Sequence, residues 1–99
     1  MTTGRLGIAD LAATTDTTVY QVPVGKTASF NANFCNRGSG VTTVRLSISS
    51  AATPTAGEYI EYEAQIPASG VLERGGLVAN ASKYIVVRSS VALVSCVVW

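Results

Sequence analysis

Glu61 and Glu63 are residues whose type and spacing suggest chemistry. Two apart in an alternating stretch, they would project from one face of a strand with carboxylates about 6.5–7 Å apart, within the range of inverting glycosidases. A working acid–base pair needs unequal environments that push its two pKa values apart. Nothing in the surrounding sequence does this, and the two acids read as solubilising groups or cross-strand partners for arginine. Glu58, Glu61 and Glu63 together fall short of a calcium site, which requires more oxygen ligands in an Asp-rich loop.

The chain has no histidine, which removes the commonest general base and the commonest metal ligand together. Its serines and two cysteines therefore have no imidazole to activate them, and neither Gly-x-Ser-x-Gly nor Ser-x-x-Lys occurs. Cys35 and Cys96 lack CxxC spacing, and strand phase puts Cys35 on a polar face and Cys96 among apolar neighbours, against a disulfide between them. Gly38-Ser39-Gly40 lacks the lysine and the strand-to-helix context of a phosphate loop and reads as a hairpin turn. Asn80-Ala81-Ser82 matches the glycan acceptor pattern but follows no secretory signal, so it reads as chance. No catalytic residue, metal ligand or cofactor is expected, and an enzyme is the weakest class. Among the aromatics, Tyr62 shares phase with Ile60 and Ile66 and is expected in the core, whereas Tyr59 and Trp99 suit an interface.

The elements that would position these residues are strands. In Lys26 to Asn36, Ala28, Phe30, Ala32 and Phe34 alternate with Ser29, Asn31, Asn33 and Cys35, the period of a half-buried strand. Val41 to Ser49 follows with Val44, Leu46 and Ile48, and the short Asn36–Gly40 link predicts a hairpin between the two. Glu58 to Ile66 alternates again until Pro67, after a loop over residues 51–57. Val71 to Val78 is interrupted by Gly75-Gly76, which predicts a bulge or a close backbone approach. Lys83 to Arg88 and Val91 to Trp99 are apolar on both sides, as in strands covered by the core on one face and by a further surface, such as a neighbouring subunit, on the other. With Thr17 to Pro23 this gives about seven strands, and Leu6 to Ala13 adds an eighth strand or an arm. The expected fold is all-β: an antiparallel β-sandwich, immunoglobulin-like or jelly-roll-like. Residues 1–16 would be an N-terminal arm or edge strand, and 17–99 the sandwich domain.

Ninety-nine residues suit one domain. Hydrophobic residues make up 47% and charged ones 13%, against about 25% charged in ordinary domains, which excludes a wholly disordered chain. A net charge of +1 with scattered arginines lacks the basic footprint of a nucleic-acid binder. No apolar run reaches the ~18 residues of a membrane span. Nucleic acid and membrane are therefore not expected partners.

Several segments together carry a resemblance: Gly4-Arg5-Leu6-Gly7, Thr17-Thr18-Val19-Tyr20-Gln21-Val22-Pro23, Phe34-Cys35-Asn36-Arg37 and Glu58-Tyr59-Ile60-Glu61-Tyr62. The pattern continues through Ile66-Pro67-Ala68-Ser69-Gly70-Val71-Leu72-Glu73-Arg74 and Val86-Val87-Arg88-Ser89. In overall pattern the chain resembles small virion proteins of tailed bacteriophages, particularly capsid-decoration (cement) or appendage proteins. The resemblance implies a β-rich structural protein made in the host cytoplasm. It would sit on the capsid exterior, bound to the major capsid protein, often as a homotrimer, and hold neighbouring capsomers together. On this reading Arg5, Leu6, Ile8 and Leu11 in the arm, Arg37 at the hairpin tip, and Tyr59 and Trp99 are the expected capsid or subunit contacts. The alternative is a tail-fibre or appendage sandwich that binds host surface glycans through Tyr59, Tyr84 or Trp99.

Overall fold

Alternating side chains and a wealth of Val and Thr favour pleated surfaces over helices, and the computed structural model, which describes residues 7–99, contains eight strands. They are β1 (Gly7–Leu11), β2 (Thr17–Gln21), β3 (Ala28–Asn36), β4 (Thr42–Ser49), β5 (Tyr59–Ile66), β6 (Val71–Ala79), β7 (Tyr84–Ser89) and β8 (Val94–Val98). A single 3-10 turn, Ala56–Glu58, precedes β5. Two antiparallel four-stranded sheets result, ordered β1-β8-β3-β6 and β2-β7-β4-β5. The pairs β1·β8, β2·β7, β3·β6 and β4·β5 are nested, as in one long hairpin rolled up on itself. That wrapping is a jelly roll, which decides between the two sandwich topologies the sequence leaves open. Residues 7–11 are an edge strand of the sandwich and not a detached arm.

The core lies between the sheets. Phe30, Ala32 and Phe34 of β3, with Val94, Cys96 and Val98 of β8, face Val44, Leu46, Ile66, Ile85 and Val87 of the other sheet. The inward set of β3 is the one its alternation predicts. Leu11, expected as a contact residue, instead belongs to this core at 2% exposure, because its register with Val94 turns it inward. On β7 three consecutive residues, Ile85, Val86 and Val87, are buried. Val86 stands in register with Thr18 and Ser47 on the outer face, and its own chain alone reduces it to 2% exposure. It does not need a neighbouring subunit as cover.

The Asn36–Gly40 link is not a hairpin, and Gly38-Ser39-Gly40 is not a hairpin turn. β3 and β4 lie in different sheets, so the link is a corner that carries the chain across the sandwich. Asn36 explains why. Its side chain is buried, and Nδ2 donates to the carbonyls of Gly40 (2.8 Å), Ile66 (3.1 Å) and Pro67 (3.2 Å). Its Oδ1 accepts from Gly38 N at 2.9 Å, an Asx turn. One amide thereby fastens the β3–β4 corner to the β5–β6 corner, where the chain crosses back to the first sheet.

Register slips in three ladders; one slip lies in β2 between Thr18 and Tyr20, and the other two, in β6 and β5, bear on the residues singled out above. On β6 the register slips between Phe30 and Ala32 of the partner strand; Gly76 takes φ +70°, and its N–H donates to Asn31 Oδ1 at 3.2 Å. The expected bulge is present, and what comes close to Gly75 is a side chain and not a backbone, since a Cβ there would stand 2.9 Å from that same oxygen. The second bulge lies in β5, where the register against β4 slips twice between Ala64 and Tyr59 and Glu63 adopts φ 55°. Tyr62, expected in the core, is consequently turned out to 60% exposure. Glu61 and Glu63 do not share a face either. Glu61, in register with inward-facing Leu46, meets Arg74 at 2.9 Å, while Glu63 meets outward-facing Arg45 at 3.0 Å.

Candidate functional site

The outer face of β1-β8-β3-β6 carries Ile8, Arg37 and Trp99, three of the seven expected contact residues. Register places Ile8, Val97, Asn33 and Glu73 in one row across the sheet, and Asp10, Ser95, Cys35 and Val71 in the next. Trp99 continues the outward phase of β8 beyond Val97, its backbone N–H donating to Asn31 O at 3.0 Å and its carbonyl accepting from Asn31 N at 2.7 Å. Ile8 (57% exposed), Val97 and Trp99 (37%) thus form an apolar run along the β1/β8 side, about 5–7 Å from one side chain to the next. Asn33 and Ser95 border it with polar groups.

Arg37 lies at the margin of the same face. It is exposed in the corner after β3 and pairs with Asp10 of β1, while its backbone N–H donates to Leu93 O at 2.8 Å. Ile8, Arg37 and Trp99 therefore share this face, but Trp99, bonded to Asn31, and Arg37, six residues further along the chain, stand at its opposite ends. Tyr59 does not share it, because its register with Ser47 puts it on the outer face of the opposite sheet. Arg5 and Leu6 lie outside the described residues.

That opposite face carries a cluster the alternation does not reveal. Tyr59 and Tyr62 meet edge to face with ring centroids 5.0 Å apart, and the Arg45 guanidinium stacks over Tyr62 at 4.4 Å. The Nε of Arg45 is buried without a hydrogen-bond partner, and its terminal nitrogen donates to Glu63. This hydrogen bond holds the Glu63 carboxyl below, and the Arg45 guanidinium above, their ordinary pKa values. Arg88 stands directly across from Arg45 in register and faces Asp16 at 3.6 Å. The signal missing from the sequence is a glycine at the β5 bulge; Glu63 takes the left-handed conformation itself.

One further group resembles catalytic machinery. Lys83 Nζ donates to Ser50 Oγ at 3.1 Å, and Ser50 Oγ donates to Glu58 Oε2 at 3.1 Å. A serine–lysine dyad requires a neutral amine that accepts the hydroxyl proton. Here Lys83 is the donor, and Glu58 also accepts from Ser50 N and Thr55 N, both at 2.9 Å. These backbone donors draw the Glu58 carboxyl down to about 2. The trio therefore acts as a clasp on the β4–β5 loop. Cys35 and Cys96 are both unbridged, the first on the outer face of its sheet and the second in the core, where burial pushes its thiol up to about 12. Among the described residues no group of three metal-ligating side chains comes together.

Comparison with models of protein families, with curated proteins and with solved structures gave no match.

Proposed function

We propose that this chain is a structural virion protein that binds the outside of a phage capsid and reinforces contacts between capsomers, using the outer face of β1-β8-β3-β6. The observation that carries the reading is the apolar run of exposed Ile8, half-buried Val97 and exposed Trp99, bordered by Asn33, Ser95 and the Asp10–Arg37 pair. An apolar centre with a polar rim is the usual anatomy of a protein interface. The sequence resemblance to decoration proteins supports the same assignment. A protein that engages only the assembled lattice stabilises it by mass action, and association into a trimer multiplies weak contacts through effective concentration.

The test is the copy number of this chain relative to the major shell protein, by quantitative mass spectrometry on gradient-purified virions. Hundreds of copies per particle are expected. A handful would assign the chain to a tail or vertex appendage, and its absence from particles would remove the virion reading altogether.

A further inference from the structure

We propose that the outer face of β2-β7-β4-β5 is a carbohydrate-binding platform, centred on Tyr62 and the Arg45–Glu63 ion pair, that takes a neutral pyranoside. The bulge in β5 is the starting observation. A non-glycine residue, Glu63, holds φ 55° and the adjacent tyrosine is turned out of the alternation into solvent. Both features oppose stability, one through backbone strain and the other through lost aromatic burial, and strain of this kind clusters at ligand sites. What the bulge achieves is an assembled set of groups. Tyr62 is exposed, Tyr59 fixes its ring at 75°, and Arg45 is stacked against it and bonded to Glu63.

A pyranose offers an apolar C–H face beside vicinal hydroxyls. An exposed aromatic receives the former, while a carboxylate that only accepts and a guanidinium that only donates receive the latter. The charges decide the ligand's own charge. Arg45 and Arg88 are offset by Glu63 and Asp16, so the face is neutral as a whole and an acidic sugar would meet two carboxylates. All four central groups stand on strands, and beneath them Ser47 and Val86 are buried, Ser47 Oγ donating to Val86 O at 3.1 Å. Such a platform is rigid before ligand arrives, which lowers the ordering cost of binding. This face is opposite the one assigned to the capsid, and neither proposal depends on the other.

The experiment is an NMR titration of the full 15N-labelled chain with methyl glucoside, methyl galactoside, methyl mannoside and the trimer of N-acetylglucosamine, each to about 50 mM. For at least one sugar we expect shifts confined to the amides of Arg45, Tyr59, Tyr62, Glu63 and their neighbours, with a dissociation constant of about 1 mM. Tyr62→Ala should weaken binding at least tenfold. Tyr62→Phe, which keeps the ring, should stay within about threefold of the parent, and Trp99→Ala on the other sheet should leave binding unchanged. The platform is refuted if none of the four sugars shifts these amides, if shifts cluster instead around Ile8, Val97 and Trp99, or if Tyr62→Ala binds as the parent does. Loss of capsid attachment in Tyr62→Ala without any sugar response would reassign the face to a protein partner.

Discussion

Glu61 and Arg74 stand on the edge strands of different sheets, β5 and β6, and pair at 2.9 Å across the open side of the sandwich. Both occupy inward register positions, opposite Leu46 and Ala32, so the pair closes a side that hydrogen bonding leaves open. Being partly exposed, it should contribute modestly. A double-mutant cycle of Glu61→Gln and Arg74→Gln in urea is expected to give a coupling energy of about 0.5 kcal/mol, shrinking with added salt. Coupling of zero would mean that the two edges are held by their neighbours alone.

Asn36→Ala should be far more damaging. The substitution leaves the Ile66 carbonyl without its side-chain donor in a buried corner, at a cost of about 2–3 kcal/mol. A fall in Tm of roughly 10 °C or more is expected. Asn36→Asp should be no better, since a carboxylate cannot donate to three carbonyl oxygens. A thermal melt of either variant that matched the parent would contradict the role given to this amide.

Glu58 gives the chain a defined acid response. Its folded pKa, about 2, lies below the ordinary value of 4.5 because the backbone N–H groups of Thr55 and Ser50 bind the carboxylate. A depressed carboxyl contributes stability that is present above its unfolded value and is lost as pH falls toward the folded value. Glu58→Gln should therefore be less stable than the parent at pH 6, with the gap narrowing between pH 4.5 and 2. Parallel stability curves over that window would show that the loop clasp does not discriminate the ionised form.

The two thiols should separate cleanly in a thiol titration. Cys96 is in the core with its thiolate strongly disfavoured, and Cys35 opens onto the sheet surface. One thiol per chain is expected to react with DTNB in the folded protein and two in guanidinium chloride. Two fast-reacting thiols under native conditions would place Cys96 outside the core.

Ile8→Glu tests the proposed capsid contact at a position outside the core. The side chain is largely exposed, so stability should change by no more than about 0.5 kcal/mol. Occupancy on purified particles should nevertheless fall at least tenfold. An unchanged occupancy would remove Ile8 from the contact surface.

Strand identity was legible wherever period-two alternation ran unbroken, as in Ala28–Phe34, because burial on one face imposes that period whatever the partner strand. The Gly75-Gly76 bulge was legible too, since glycine marks a conformation other residues avoid. The β5 bulge was not, because Glu63 carries the left-handed backbone without a glycine, and its neighbours Tyr62 and Glu61 therefore changed faces. The β3–β4 corner imitated a hairpin for another reason. Asn36 reaches acceptors about thirty residues away, and short-range pattern contains no trace of that reach. Leu11 and Ile8 were indistinguishable as apolar residues until the register with β8 sent one inward and the other outward.

At the amino-terminal edge, a Cβ on Gly7 would overlap the Val19 carbonyl oxygen of β2, so β1 lies against its neighbour at backbone distance. Gly7→Ala is expected to cost about 1–3 kcal/mol and to raise hydrogen exchange first in β1, measured amide by amide. Uniform protection in the variant would show that the two strands have room to separate.

The rolled wrapping also grades the loops that folding must close. Only β4 and β5 are both consecutive and paired; in every other ladder the partners are distant, the nearest being Ser49 and Tyr84, 35 apart in the chain. Long loops must close before such contacts return any energy, so folding is slow, on a scale of milliseconds to seconds. The β4–β5 bend closes the shortest loop of any ladder, and each nested pair outward closes a longer one. The outermost pair, β1 with β8, joins residues as far apart as Gly7 and Val98. Ile8 and Val97 lie in that pair, so their shared surface exists only where the two ends of the described chain have met.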